Sequence, residues 1–532
     1  MILGEDSWER RQWMPTVLLG CLLAAVLGRS LERAWLQPIT HDEALTWLKW
    51  ARGPWAGFYE NYIANNHLLN TAIAKLSVSW FGLSPLSLRA GGLLGAGLYL
   101  LGLPVLLRRM DGAWWRLLAA GLLTLNPLVM DYFALARGYS LAMAGLLWTL
   151  IAAMNYLSKD PRPRRWALGL GFWAAFTLLA NLSFAFPLAA LGGLVVAWDF
   201  LEPGSLGKRC SRVLFACRWA ALPALVLASP LVGLWKGGAQ RGSFTFGSPN
   251  LSSMTENLVR LSLFHGTDVR RHHGFLEPLS RAIENGGHAL GMSLMGGLIL
   301  GVFIAWRQGR RRRERGAAHA AQLLGLTGLV ALGTVILLIA AHRWQGLPYP
   351  KSRTGLPLVL LVTLVAVFTT RLLPRRLRGP AGLALVALLA LFALRASEGH
   401  FADWAYDRDS LARFRFFARW HDEEPDKPLS VLCVPFLHAP ALEFYADMYD
   451  ADWLRVERLR PANAASQLMG PFDAMSCHLP RRLAEDLSRQ TKRPILLDDP
   501  TTSTIILGRV CKKNPPLEER GQINHREESQ GH

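Results

Sequence analysis

Ionisable residues and cysteines are scarce in this chain of 532 residues. Asp, Glu, Lys and Arg together make up 18%, against about 25% in ordinary soluble domains. Six cysteines in this length exclude a disulfide-dense secreted scaffold. Acidic residues are the scarcer charge, 39 against 58 basic ones, for a net charge of +19. The basic runs are nevertheless short, lie between apolar segments and lack interleaved aromatics, which excludes a nucleic-acid-binding surface. No Cys or His spacing fits a standard metal site, and no Gly-rich phosphate loop follows a strand. A convincing internal repeat, frequent in transporters, is also missing.

What the chain has instead is apolar length. Half of its residues are hydrophobic (51%), with 20 tryptophans, and apolar runs of about twenty residues recur, each able to cross a hydrocarbon core of about 30 Å. Eleven spans are predicted, near 15–32, 86–107, 117–134, 138–157, 166–181, 184–200, 213–235, 287–306, 320–341, 355–373 and 380–396. The fold class is therefore mainly α, a polytopic transmembrane bundle. Alternate loops are basic: Glu9-Arg10-Arg11, Arg108-Arg109 with Arg116, Lys159 to Arg165, Lys208 to Arg218, Arg307 to Arg315 and Arg371 to Arg378. The positive-inside rule puts these loops and the amino terminus in the cytoplasm and the tail after 396 outside. Anionic lipid headgroups account for the excess positive charge. The first span lacks a small-residue cleavage site and reads as a retained signal anchor.

Arg137, in Met130-Asp-Tyr-Phe-Ala-Leu-Ala-Arg-Gly-Tyr-Ser140, interrupts an apolar run where a charge costs a few kcal/mol and usually marks a site. It calls for an anion. A phosphate at the headgroup level is one reading, and a snorkelling side chain or a pair with Asp131 is the other. Gly138 allows a close turn in any helix hairpin, and Tyr139 either bonds a ligand or sits in the aromatic belt.

The predicted topology gathers most other polar residues on the same outer face. The first outer loop, about 33–85, reads as two interfacial helices, Ala44 to Trp50 and Leu68 to Trp80. Thr40-His-Asp-Glu43 has the spacing of a capping box, with Asp42 suited to a helix first turn. The same residues suit acid–base chemistry, with Asp42 as a general base oriented by Glu43. Asn66 and Asn70 at i, i+4 spacing, with His67 between them, either bind sugar hydroxyls or cap the second helix. Lys351 and Arg353, at the start of the tenth span, either clamp an anion or anchor the interface.

As a set, the acidic pair after the first span, the two juxtamembrane helices, Ser87-Leu-Arg89 before the second span and the Ala-Arg-Gly-Tyr turn resemble the GT-C glycosyltransferases. Within them the chain looks like glycosyltransferase family 39 and the Rgt-type enzymes, with protein O-mannosyltransferases and lipid A aminoarabinose transferases, over about residues 10–370. The resemblance implies transfer of a sugar from a polyprenyl phosphate to a glycan, lipid or protein acceptor, usually with inversion, at the periplasmic face of a bacterial inner membrane. It implies Asp42 as base with Glu43 beside it, and Arg137 and Tyr139 at the donor phosphate, joined by Lys351 or Arg353. Asn66, His67, Asn70 and Asp131 are weaker candidates for sugar or acceptor contact. No cofactor is required by the sequence, although the family admits a divalent metal. A lipid or sugar transporter, or a noncatalytic envelope assembly protein, is the alternative.

The segment 236–286, with His265, Asp268, His272 and His273, reads as a lid or acceptor loop rather than a metal site. Beyond the membrane module (1–396), residues 397–513 turn polar and predict a small periplasmic α/β domain. Its strands are expected at 430–434, 495–497 and 504–507, its helices near 438–449 and 479–489, and a disordered end at 514–532. Cys433 and Cys511 are candidates for one disulfide in that domain.

Overall fold

The computed structural model describes residues 5–55, 66–158, 162–236, 246–264, 315–396, 400–434, 436–460 and 464–509, with scattered positions between 286 and 303. Contacts divide the chain into two units. One comprises Met1–Leu36, Pro54–Gly82 and Leu86–Asp403, and the other Gln37–Gly53, Leu83–Pro85 and Trp404–His532.

The first unit is a helical membrane bundle. Among the described residues, eight helices are long and apolar enough to span: Trp13–Leu36, Ala90–Leu107, Tyr139–Leu157, Leu182–Leu201, Leu206–Leu227, Ala321–Gln345, Ser352–Leu372 and Arg375–Ala396. The span expected at 117–134 is instead two helices, Ala113–Thr124 and Pro127–Phe133, bent by 69°. The break has a local cause. Asn126 accepts hydrogen bonds from the Leu128 and Val129 amides at 3.0 and 3.4 Å, and Pro127 has no amide hydrogen to continue the previous helix. The segment expected at 166–181 forms the helix Pro163–Ala180, but Arg164 and Arg165 in its first turn leave it less apolar than the eight. The span expected at 287–306 falls largely outside the described residues, as do 237–245 and 265–285 of the long loop, with all four of its marked residues.

Tyr139–Leu157 is the most enclosed of these helices, packed between Ala90–Leu107 and Pro163–Ala180. Small residues permit the approach: a Cβ on Gly95 would lie 2.4 Å from the Leu141 nitrogen. Without a hydrophobic driving force inside a bilayer, such backbone proximity supplies the dispersion contacts that hold helices together.

The second unit carries a five-stranded sheet in the order β2-β1-β3-β5-β4, with β1 Leu429–Val434, β2 Leu454–Arg458, β3 Ala474–His478, β4 Ile495–Asp499 and β5 Thr504–Gly508. β1 runs parallel to β2 and β3, while β5 is antiparallel to both β3 and β4. Helices Ala439–Met448 and Arg481–Thr491 lie where they were expected. β2 and β3 were not anticipated. Leu454-Arg-Val-Glu-Arg458 alternates in burial as a half-exposed strand does, and Ala474-Met-Ser-Cys-His478 contains no β-branched or large aromatic residue of the kind enriched in strands. Cys433 and Cys477 are buried thiols on adjacent strands, and Cys511 lies outside the described residues, as does the end from 510 onward.

Residues 37–53 of the first loop are knitted into this second unit. The Ile39 amide donates to Tyr445 Oη at 2.9 Å, and Ser410 Oγ donates to the Ile39 carbonyl at 2.8 Å. Trp47 Nε1 donates to Asp447 at 2.8 Å, and Arg52 pairs with the same carboxylate at 3.1 Å. The two first-loop helices, His41–Thr46 and Leu68–Phe81, thus belong to different units.

Candidate functional site

In the membrane unit the polar residues converge on the turn between Pro127–Phe133 and Tyr139–Leu157. Arg137 there is 1% exposed. The helix Leu68–Phe81 brings its amino-terminal end against this turn: Asn70 Nδ2 donates to the Ala136 carbonyl at 3.0 Å, and His67 meets Tyr139 edge-on with ring centroids 5.2 Å apart. Tyr139 also packs on Tyr132 at 4.8 Å and is buried, so it does not face lipid in an aromatic belt. Asn66 and Asn70 do not share a helix face as expected. The helix begins at Leu68 with His67 at the cap position and no side-chain cap, and Asn66 Oδ1 accepts from Thr71 Oγ1 at 3.1 Å.

Gly138 matters through proximity rather than through an unusual backbone, since its φ is −70°. A Cβ there would sit 1.9 Å from the Ala180 carbonyl oxygen and 2.9 Å from His67 Cβ. Beyond Ala180, the Asn181 side chain accepts from the Ser183 amide at 2.9 Å, and the 182–184 turn packs beside the Ser352–Gly355 turn. That second turn carries Arg353, whose guanidinium lies 4.8 Å from the Phe246 ring centroid, and follows Lys351, whose ammonium lies 6.0 Å from the same centroid. Lys351 is exposed, and the amide of Ser352, at φ 51°, donates to Asn257 Oδ1 at 2.6 Å. A chain of neighbouring elements therefore runs from Arg137 to the basic pair at the start of the Leu356–Leu372 helix.

Asp131 has a partner that the sequence did not suggest. Arg33, at the end of the first helix, pairs with it at 2.5 Å, both side chains 2% exposed. The same guanidinium donates to the His400 carbonyl at 3.0 Å. Arg89, fully buried, donates to the Ala34 carbonyl at 3.1 Å and so places a cation at a helix carboxyl end, where the macrodipole favours it. Arg33 and Arg89 both lie over Phe401, at 4.9 and 5.3 Å. The sequence signal for Arg33 is the same as for Arg137, a costly charge beside an apolar run, but at a span terminus a basic residue is common and singles out no site.

In the second unit, Asp42 and Glu43 open the helix His41–Thr46. Glu43 is committed to the capping box: its carboxylate accepts from the Thr40 amide at 3.0 Å, and Thr40 Oγ1 accepts from the Glu43 amide at 3.3 Å. Its side chain closes the helix start. His41 faces Asp42, with Nε2 3.6 Å from Asp42 Oδ1. Asp407 Oδ2 holds the other side of that ring, 2.9 Å from Nδ1, and also accepts from the His41 amide at 2.8 Å. Behind Asp407 stands Arg413, 3.7 Å away, which pairs with Asp409 at 3.2 Å. Burial raises the Asp409 pKa, and the charge of Arg413 opposes that shift. Sequence reasoning missed the set of His41, Asp407 and Arg413 because Asp407 lies 366 residues after His41.

No protein-family model and no curated protein matches the chain. Among solved structures, it is similar to ArnT from Cupriavidus metallidurans bound to undecaprenyl phosphate, at 13% identity and a TM-score of 0.51, covering 94% of this chain and 99% of that one. The chain has the GT-C membrane glycosyltransferase fold. The apo form of the same ArnT (10% identity, TM-score 0.39, 93% and 98% covered) and an oligosaccharyltransferase from Archaeoglobus fulgidus tethered with an acceptor peptide (11%, 0.43, 91% and 69%) are further from it. Identity at this level assigns the GT-C fold and not a family within it. Among the described residues of this GT-C chain, no group of three or more His, Cys, Asp or Glu side chains is arranged to hold a metal ion.

Proposed function

We propose that this GT-C chain transfers a sugar from a polyprenyl-phosphate-linked donor to an acceptor hydroxyl on the outer face of a bacterial inner membrane. The observation that carries the reading is Arg137, a buried guanidinium at a turn braced by Asn70, His67 and Tyr139, in a fold similar to that of a protein bound to undecaprenyl phosphate. A guanidinium presents paired N–H donors to phosphate oxygens, and its contribution grows as those oxygens gain charge during departure. Phosphate leaves as an anion already, so charge neutralisation does more for it than a strong acid would.

In the mechanism, Asp42 takes the proton of the acceptor hydroxyl. The resulting oxygen nucleophile forms the new bond to the anomeric carbon while the bond from that carbon to the phosphate oxygen breaks, and polyprenyl phosphate departs against Arg137. One displacement inverts the anomeric centre. Lys351 and Arg353 supply further positive charge, while Asn70 and Asp131 act as positioning residues, because Asn70 holds the Ala136 carbonyl and Asp131 holds Arg33. A transporter would share the cations but needs neither the base nor the displacement.

The test is sugar transfer in vesicles containing purified protein and a polyprenyl-phosphate sugar. Wild type is expected to give an inverted product, and Arg137→Ala and Asp42→Asn are each expected to lose about 100-fold or more in turnover, the scale of losing a transition-state charge partner or a general base. Near-normal turnover in Asp42→Asn removes it as base, and a product of retained configuration removes the single displacement.

A further inference from the structure

The sequence offers no role for the tail domain, yet the second unit embeds the helix that carries Asp42. The backbone there is fixed from both sides, by Tyr445 and Ser410 on Ile39 and by Asp407 on the His41 amide. Asp407 further grips the His41 ring, so that Nδ1 faces Asp407 at 2.9 Å and Nε2 faces Asp42 at 3.6 Å. All three side chains are largely buried, at 12%, 6% and 1% exposure for His41, Asp42 and Asp407. We propose that Asp407 of the tail domain and His41 form a carboxylate–imidazole–carboxylate chain that positions Asp42 and sets its charge state, making His41 the positioning residue of the base. The proposal rests on the assignment of Asp42 as the base.

The chemistry follows from the ring's two nitrogens. A carboxylate against Nδ1 fixes the tautomer with its hydrogen on that nitrogen. A favourable contact between Nε2 and the Asp42 carboxylate then requires a second hydrogen on the ring. The doubly protonated ring between two carboxylates is thus the state that the geometry suits, and its positive charge favours the ionised form of Asp42 that can accept a proton. The groups around this ring come from four further elements. Tyr406 lies on the 402–407 turn, with Oη 3.2 Å from Nδ1. Arg413 pairs with Asp407 from the Ser410–Glu423 helix, where Asp409 offsets it. His438 and His478 follow behind, His478 ring to ring with Tyr406 at 5.5 Å and His438 held neutral by burial. Glu43, on the same helix as His41, is engaged by Thr40.

The experiment is the pH dependence of kcat/KM for sugar transfer by the full-length chain in vesicles, comparing wild type with His41→Gln and Asp407→Asn. Loss of the imidazolium charge is expected to move the acid limb of the profile upward by about one pH unit, the usual effect of one close charge, with kcat lowered about tenfold and KM for the donor little changed. Asp409→Asn, which alters the Arg413 pair without touching His41, is expected to leave the limb in place. If both His41→Gln and Asp407→Asn keep the wild-type limb while losing rate equally at every pH, the contacts are structural only and the proposal fails. That failure is separable from failure of the base assignment. If Asp42→Asn retains transfer, the base itself is wrong, whereas an inactive Asp42→Asn with an unmoved limb overturns only the role of His41 and Asp407.

Discussion

Replacing the buried Arg33–Asp131 pair tests whether Asp131 builds the Arg137 turn or contacts substrate. The 2.5 Å separation corresponds to a gross attraction of about 7 kcal/mol at an effective dielectric of about 20. Withdrawing both ions from water costs several kcal/mol each, so the pair as a whole contributes little relative to two apolar side chains, while either ion left alone is expensive. Arg33→Met takes this close cation from the buried Asp131 carboxylate and also gives up the bond to the His400 carbonyl and the contact with Phe401. The expected loss is about 3–5 kcal/mol, and Asp131→Leu is expected to cost a similar amount. The double variant Arg33→Met with Asp131→Leu leaves neither charge behind and should cost less than either single variant, so the coupling energy is at least that of one single loss, about 3–5 kcal/mol. Unfolding in detergent, followed by tryptophan fluorescence, measures the cycle, and sugar transfer in vesicles measures function. Losses that simply add would refute the pairing argument. A double variant with recovered stability and no transfer would return Asp131 to direct substrate contact.

Gly138→Ala forces a Cβ to within 1.9 Å of the Ala180 carbonyl, and because that neighbour is backbone the cost should reach about 3 kcal/mol, the upper part of the overpacking range; a variant as stable as wild type in the same unfolding assay would show that the turn gives way freely. The Cys433 and Cys477 thiols are pushed up to about 12 by burial, so native protein at pH 8 should leave both unlabelled by maleimide and unfolded protein should label both, as read by peptide mass spectrometry. Labelling of either in native protein at the rate seen in unfolded protein would contradict their burial. His438 is held well below the ordinary histidine value, first by burial and then by Arg413, His478 and His41. A depressed folded value means that the unfolded chain binds the extra proton first, so the stability of the second unit should be full above about pH 6.5 and fall as pH drops below it. His438→Leu should flatten that slope in pH-dependent melts, and an unchanged slope would place the titration elsewhere.

Much of the architecture was legible locally because its signals are local. The capping box at Thr40–Glu43 is a spacing of three residues, and the structure forms it. Apolar length marked the spans, since a membrane core filters for about twenty apolar residues whatever lies beyond them. The bend at Asn126-Pro127 was also written in the sequence, as a cap followed by a proline, but it sits inside an apolar run that reads as one crossing. β2 and β3 escaped for the opposite reason: short strands with charged or small residues gain their stability from neighbours in the sheet, and those neighbours are not visible in a window of five residues.

The sequence by itself determined the solvent that the protein must meet, the helices that meet it and the ends of several of them, because these depend on composition and on contacts a few residues apart. Only the tertiary structure decided the partners of the buried charges. Asp131 pairs with an arginine 98 residues before it, and His41 with an aspartate 366 residues after it. A buried charge takes whichever opposite charge the packing brings within about 4 Å, and packing is a property of the assembled elements rather than of any one of them.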